Sequence, residues 1–470
     1  MTHLASRAPD PAVRRLSVTL YGYAFLSDLV LLYPLYVVLF ADTGLSVGQI
    51  SSLFVIWSAA GILFEVPSGA WADVVSRRLL LCLAPLVTAA GYALWVLVPS
   101  YPAFAVGFLL WGAGGALVSG ALEALVWTEL DRLGAVGRYA RVLGRARTAG
   151  VLGVVVTGVL AGPVLAVGGY PAVGVASVLA CLLAAGVATR FPEHRRPPGT
   201  PPPPPVHEPA SAVHGPASAV QDPASAVHSP ASAHEPAPVV SPVVALAGDR
   251  PPGIPPDDDG DLTWWDTLRA GVTQVRTRPP VRGAVLLVAV VAADWGALDE
   301  YTPLLAVDTG VGARAVPLLL LLLWAGVTIG GLLAPAGERL GRRGYAALLG
   351  LVAVALAGGA LVRHPAGFVL LAVAFGAAQL ATVLADARLQ ARISGNTRAT
   401  VTSLAGMATD LLIIGTYAGY GLVATAAGNA VAFAAAAGAY LVVALVLLAR
   451  RRRPPAASSA VAGGGARGSG

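Results

Sequence analysis

Residues 64–78 read FEVPSGAWADVVSRR, and this stretch decides the fold. An apolar run precedes it, and another, LLLCLAPLVTAAGYALWVLV, follows directly. The chain therefore turns here between two hydrophobic helices, on Gly69, Asp73, Arg77 and Arg78. Gly69 lets the helices approach closely, because no Cβ intervenes. Asp73 is an acid among arginines at a membrane face, where it pairs with them or with a helix N-terminus. Arg77 and Arg78 hold the loop in the cytoplasm. Taken singly, the stretch leaves an ordinary basic cytoplasmic loop as the lesser alternative. A second, weaker copy at 334–343, APAGERLGRR, sets Glu338 in the place of the aspartate and keeps Arg339, Gly341, Arg342 and Arg343. Two such loops in one chain point to two halves built alike.

Composition says what surrounds the loops. Of 470 residues, 56% are hydrophobic and 12% charged, and the mean hydropathy is +0.72. Soluble domains carry about 25% charged residues, so this is a polytopic membrane protein. All 31 Lys+Arg positions are arginine. Without lysine there is no P-loop to grip a nucleotide phosphate and no amine for a Schiff base, which argues against direct ATP drive by this chain. With abundant Ala, Gly, Pro and Val, the missing lysine is the compositional mark of a GC-rich bacterial genome. Cys82 and Cys181 fall in apolar segments and read as small core residues, not as a disulfide or metal pair. The seven histidines lie in tails, linker or a loop, so none forms a relay across the bilayer. No metal and no cofactor are expected. The net charge of +6 reflects cytoplasmic arginines and implies no nucleic-acid partner. Nothing at the N-terminus resembles a cleaved signal, since the first apolar run is long enough to span and more spans follow.

A span needs roughly 20 apolar residues. Six fit at about 17–40, 48–70, 79–99, 102–127, 146–167 and 171–189, and six more at about 282–306, 314–336, 343–362, 365–385, 401–424 and 428–449. The expected domains are an N-terminal bundle over 1–189, a linker over 190–281, a C-terminal bundle over 282–449 and a basic, disordered tail over 450–470. Arginines set the orientation. Arg7, Arg14 and Arg15 precede span 1, while Arg132, Arg138, Arg141, Arg145 and Arg147 crowd the loop between spans 4 and 5. Arg388, Arg392 and Arg398 lie between spans 10 and 11, and Arg450 to Arg453 follow span 12. The opposite side holds only Arg314 and Arg363. The positive-inside rule then puts both termini and the linker in the cytoplasm, at a cell (plasma) membrane. The linker repeats a seven-residue unit as VHEPASA, VHGPASA, VQDPASA and VHSPASA. Proline in every unit and too little apolar content make it an extended tether. Near its end, Thr263 to Asp266 form a capping box that opens an amphipathic helix at 263–277. Trp265, Leu268, Val272 and Val275 share one face, and Arg269, Arg276 and Arg278 add charge, so the helix is expected to lie on the inner leaflet.

The loop at 64–78 resembles the one between helices 2 and 3 of major facilitator superfamily transporters, whose pattern is G-x-L-A-D-R-x-G-R-R. The chain supplies Gly69, Ala72, Asp73, Arg77 and Arg78, with Val74 where the family has arginine and Ser76 where it has glycine. Span 5, GVLAGPVLAVGG at 158–169, is similar to the G-x-x-x-G-P-x-x-G-G motif of drug–proton antiporters in Gly158, Gly162 and Pro163. Gly168 and Gly169 come two residues late, and a bare G-x-x-x-G is common membrane packing. Span 4 departs from the family, because the usual buried arginine would fall near Phe108 and the span has none. The resemblance implies an all-α polytopic membrane protein, twelve transmembrane helices in two pseudo-symmetric six-helix bundles. The halves echo each other elsewhere: Asp28 and Pro34 are followed by ADTGLS, and Asp299, Glu300 and Pro303 by VDTGVG. Parallel repeats of this kind put a substrate site near the midplane, between the bundles.

Acids inside spans carry the chemistry, since each costs roughly 2.5–3.5 kcal/mol at a helix centre. Asp28 falls near the middle of span 1, Asp294 near the middle of span 7, and Asp299 and Glu300 further along it. They must face a wet cavity, pair, or carry protons. The alternatives are a packing hydrogen bond for Asp28 and a wet outer mouth for Asp299 and Glu300. With no basic partner nearby in sequence, a proton or a cationic substrate is the natural neutraliser. Tyr33, Tyr36, Trp57 and Trp295, with Trp95, Trp111, Tyr301, Trp324, Tyr417 and Tyr420, either line a cavity for bulky molecules or anchor the membrane interface. Glu65 and Glu123, at the cytoplasmic ends of spans 2 and 4, join Gly69, Asp73, Arg77, Arg78, Glu338, Arg339, Arg342 and Arg343 as gating candidates; Asp410 is shallow in span 11.

The reading these residues give is a monomeric, proton-coupled exporter of small amphipathic molecules, working in the bilayer by alternating access. Uptake or uniport of a polar nutrient is the alternative within transport. From another class, the fold serves as a non-transporting sensor or scaffold with the linker as docking arm, and linker deletion separates the two. An enzyme is not expected, since no HExxH and no buried Ser–His pair exists.

Overall fold

Pro34 and Pro303 lack the N–H a helix needs, and both sit in stretches that hydropathy reads as single spans. In the computed structural model, which describes residues 11–194, 264–393 and 398–449, both stretches are broken. Span 1 consists of Pro11–Asp28 and Tyr36–Asp42, and span 7 of Pro279–Asp299 and Thr302–Asp308. This corrects the continuous helices expected at 17–40 and 282–306: Asp28 ends a helical piece, and Glu300 stands in the gap. The freed backbone groups must be satisfied by protein, because hydrocarbon offers no partner. Leu32 N–H donates to Ser177 Oγ at 2.9 Å, and the Ser177 hydroxyl donates in turn to the Val173 carbonyl at 2.8 Å. Ser177→Ala would leave that buried N–H unpaired, a loss of about 1–3 kcal/mol. The variant is expected to melt at lower temperature in detergent, and an unchanged midpoint would refute the bridge.

The remaining first-half spans are Val47–Val74, Arg77–Leu97, and Tyr101–Val118 continued by Ala121–Arg132. The helical run Tyr139–Ala188 is 50 residues long, about 75 Å of helix against a hydrocarbon core of about 30 Å. Gly169, at φ 63°, folds it into spans 5 and 6. The second half continues with Val316–Leu332 and its short extension Ala334–Gly337, then Arg342–Leu361, Gly367–Gln390, Arg398–Ala427 and Asn429–Ala449. Among the described residues the result is twelve helical segments of span position in two six-helix bundles. Span 1 lies on spans 5 and 6, span 2 on span 4, and span 3 on spans 4 and 6. In the second bundle span 7 packs on spans 10 and 11, span 8 on span 10, and span 9 on spans 10 and 12. The bundles meet through spans 2 and 11, spans 5 and 8, and the second pieces of spans 1 and 7.

The echoed ADTG and VDTG sequences have echoed geometry. Thr43 and Thr309 turn their hydroxyls back onto the carbonyls of Phe40 and Ala306, at 2.8 and 2.7 Å. Gly44 and Gly310 follow at φ 89° and 87°, a left-handed conformation that costs glycine nothing. Asp42 then accepts the Tyr170 hydroxyl at 2.6 Å, and Asp308 accepts the Asn429 amide at 2.9 Å. Tyr170 and Asn429 stand at the starts of spans 6 and 12, so each half uses its aspartate to hold its own last span.

The repeat units of the linker, Thr263 of the capping box and the tail at 450–470 lie outside the described residues, as do the side chains of 65–74, 264–268, 270 and 399. The amphipathic segment is helical over Trp264–Thr277. It packs against spans 7 and 11, with Gly271 facing Thr400 and Gly271 and Gln274 buried. The expected stripe through Val272 and Val275 is only half-buried, and part of the helix is covered by the bundle itself.

Candidate substrate cavity

The two breaks bring chemistry to the seam between the bundles. The gap in span 1 presents Tyr33 and Tyr36, and the gap in span 7 presents Asp299 and Glu300. The Tyr36 hydroxyl donates to the Glu300 carboxylate, a bond from one half to the other between two buried residues. The Trp324 indole of span 8 lies beside the Asp299 carboxylate, within electrostatic reach. The ring of Tyr33 lies 5.9 Å from that of Trp324, 6.1 Å from Trp111 and 6.1 Å from Tyr36. Trp57 stacks on Trp111 at 5.0 Å, and Trp111 runs parallel to Phe108 at 6.0 Å. Where the family's arginine was expected in span 4, Phe108 thus completes an aromatic wall. Tyr92 of span 3 is within electrostatic reach of both Asp28 and Glu300.

Asp28 itself is exposed, at the end of the first helical piece. A side chain at Gly150 of span 5 would collide with its carboxylate, and its backbone carbonyl accepts the Thr157 hydroxyl at 3.3 Å. Two acids lie under aromatic faces, with a third reached through Tyr92, and ring faces and carboxylates both attract positive charge.

Asp294 and Trp295 are not part of this group. They lie inside the second bundle, where Asp294 is 6% exposed and its Oδ2 has no hydrogen-bond partner among the described residues. Trp295 N–H donates to the Tyr440 hydroxyl oxygen at 3.0 Å, Tyr440 donates to the Val291 carbonyl at 3.2 Å, and the Trp295 indole donates to Thr382 at 3.1 Å. Tyr440 of span 12 therefore touches both members of the Val291–Trp295 pair, four residues apart in span 7.

The bundles touch through the ends opposite the loops at 75–76 and 338–341. There the Tyr301 hydroxyl donates to Ser51 Oγ at 2.8 Å, and Phe54 packs on Tyr301 and Tyr417 at 5.2 and 5.1 Å. Gly158 faces Leu321 of span 8, and Gly162 faces the carbonyl of Arg314. The span-5 glycines thus form an interface between the halves; Pro163 follows them inside the same helix.

At the arginine-rich end, Arg77 donates to the Ala124 carbonyl at 3.2 Å and to Thr128 at 3.0 Å, tying the loop to span 4. Glu193 accepts the Ser76 hydroxyl and the Arg77 N–H, the latter at 2.8 Å. In the second half the tie runs the other way: Arg388 of span 10 donates to the Leu340 carbonyl at 2.9 Å and lies 4.0 Å above the Tyr345 ring. Arg78, Glu338, Arg339, Arg342 and Arg343 are exposed and form no ion pair among the described residues. Glu123 is half-exposed, and the side chains of Glu65 and Asp73 lie outside those described. Tyr92, Ser51, Ser177, Glu193 and Tyr440 escaped sequence reasoning, for each is a lone polar residue with no local pattern to mark it.

The sequence matches the family model described as Major Facilitator Superfamily over residues 19–411. No curated protein matches the chain significantly by sequence. Among solved structures, the nucleoside transporter NupG is similar with a TM-score of 0.63 at 12% identity, covering 94% of this chain and 99% of NupG. A bacterial homologue of the human lysosomal transporter Spinster, in an inward-facing and occupied conformation, gives 0.60 at 14% identity, covering 94% and 95%. The human organic anion transporter MFSD10 (TETRAN) gives 0.50 at 18% identity, covering 93% and 100%. At these identities the likeness is one of fold.

Proposed function

The chain belongs to the Major Facilitator Superfamily, and from that premise we propose that it exports small amphipathic molecules in exchange for protons. Membership makes it a membrane transporter of small molecules and not an enzyme. The observation that carries the finer reading is the Tyr36–Glu300 hydrogen bond, which ties the bundles together beside an aromatic wall and a second acid, Asp299. Alternating access requires such ties to break and re-form as the bundles rock. A proton on Glu300 or Asp299 removes a charge that is costly at this depth. A cationic amphipath held by Trp57, Trp111 and Trp324 competes for the same carboxylates. Asp28, exposed while the end opposite the loops is closed, is the acid that exchanges protons with the compartment at the arginine-rich end.

That end is assigned to the cytoplasm of a cell membrane by its arginines. A cysteine introduced at position 220 should resist impermeant thiol reagents in intact cells and react after lysis. Labelling of intact cells would reverse the orientation.

The coupling itself is tested at Asp28. Asn there keeps size and hydrogen bonding but cannot change charge. Asp28→Asn is expected to exchange substrate downhill without concentrating it, while Asp28→Glu keeps part of the activity. Should Asp28→Asn still drive uphill transport that a protonophore abolishes, the proton site lies elsewhere, with Asp294 the next candidate. Uptake or uniport of a polar nutrient is the second reading; the parallel rings of Phe108 and Trp111 favour a planar one. Expression in a sensitive host separates them: an exporter lowers accumulation of its substrate, an importer raises it.

A further inference from the structure

At the end opposite the arginine-rich loops, the Tyr301 hydroxyl of the second bundle reaches Ser51 Oγ of the first, and both residues are buried. The ring of Tyr301 carries that of Tyr420, from span 11, stacked on it with 3.6 Å between centroids and 20° between planes. Span 12 holds Tyr420 in turn at two points. The Tyr420 hydroxyl donates to the Asn429 side-chain carbonyl at 3.0 Å, and Phe433 meets its ring edge-on at 5.7 Å. Positions 429 and 433 are four apart and share one face of the helix.

Asn429 uses the other end of its amide on Asp308, at 2.9 Å. Asp308 is the last residue of the short helix Thr302–Asp308, and Tyr301 is the residue that caps its start. The path Asp308, Asn429, Tyr420, Tyr301 therefore leaves one end of this helix and returns to the other, as a clamp around it. The echoed bond of the first half, Asp42 to Tyr170, is exposed. Asn429 is 7% exposed, so its bonds are shielded from water that would compete for them. Members of the clamp all belong to the second bundle, and their bonds need not break when the bundles part. What must break is the bond from Tyr301 to Ser51.

We propose that Asn429 is a positioning residue for the transport cycle: acting through Tyr420, it holds the Tyr301 hydroxyl where Ser51 can receive it, and so keeps this end shut. A side chain already fixed in its bound position loses less freedom when the contact forms, which favours the closed state. Tyr301 directly follows Glu300, whose carboxylate accepts Tyr36, so the latch and the seam acid are neighbours on one backbone. The inference rests on the bundles rocking, as alternating access requires, and not on which substrate or ion the seam carries.

The test needs no substrate. Purified full-length protein in lipid nanodiscs, carrying Cys82→Ser and Cys181→Ala, is spin-labelled at Val98→Cys and Ala427→Cys, exposed positions at this end of the first and second bundles. Pulsed EPR reads the ratio of open to closed distances. Asn429→Leu should raise that ratio about two- to tenfold, the effect of losing the pre-organisation of one side chain. Tyr420→Phe keeps the ring but not the bond to Asn429, and should raise it likewise. In a Tyr301→Phe background, where no hydroxyl reaches Ser51, neither variant should add to the ratio. An unchanged ratio in Asn429→Leu, even with a lower melting temperature, overturns the proposal. So does a rise in Asn429→Leu without one in Tyr420→Phe, which removes Tyr420 as intermediary. A rise of equal size with and without the Tyr301 hydroxyl overturns it in favour of general packing of span 12. Should Asn429→Leu fail to fold, Tyr420→Phe in the two backgrounds decides between the same outcomes.

Discussion

Glu300→Gln is expected to abolish accumulation of substrate against a gradient while leaving binding within a few-fold of normal. Glutamine keeps the length of the side chain and its carbonyl still accepts the Tyr36 hydroxyl, so the tie between the halves survives in neutral form. What is lost is the change of charge, and with it the difference in free energy that a proton or substrate imposes between the two states of the bundles. Counterflow in proteoliposomes should persist, while pH-driven uptake into inverted vesicles falls to the level of passive equilibration. Tyr36→Phe provides the complementary result. It removes a hydrogen bond to a charged group, about 1.5–3 kcal/mol, which corresponds to roughly ten- to a hundredfold in turnover if that tie is formed in every cycle. Normal concentrative transport by Glu300→Gln would remove Glu300 from the coupling mechanism.

Gly162→Leu should arrest the cycle from a different direction. The added side chain meets the carbonyl of Arg314, in the turn just before span 8, a backbone atom that cannot swing aside. At Gly158 the obstacle is the Leu321 side chain, which can change rotamer. Overpacking of this kind costs about 1–3 kcal/mol, and here the cost falls only on states in which spans 5 and 8 are in contact. Transport should therefore drop about tenfold or more in Gly162→Leu and less in Gly158→Ala. A cysteine substituted at Ser51, buried beside Tyr301 and Gly421 when that end is closed, should react faster with thiol reagents in the Gly162→Leu background. Unaltered transport and unaltered labelling would show that the span 5–span 8 contact is not part of the gate.

Several features were readable because they are written over many residues or in local chain geometry. Apolar runs of span length, with arginines only near their ends, survive a few misplaced boundaries, so the helical segments emerged with little shift. The DTG repeats carry their own turn chemistry, a threonine back-bond and a left-handed glycine, and so behave alike in both halves. The breaks in spans 1 and 7 were not readable from hydropathy, which averages across them. Leu29 to Leu35 are apolar enough to pass for helix, and it is the distant Ser177 that lets Leu32 leave the helical ladder.

Alone, then, the sequence determined the class of solvent, the number of halves, the basic end of the bundles and a short roster of acids and aromatics, since each follows from composition or from residues adjacent in the chain. Only the tertiary structure decided which of them work together. Asp294 and Asp299 are five residues apart in one helix, and at about 100° per residue they point roughly 140° away from each other. One acid therefore faces the seam between the bundles, where Trp324 reaches it, and the other faces into the second bundle beside Tyr440. No count of charges along the chain separates the two, because the separation is a rotation, fixed by which face of span 7 the other spans cover.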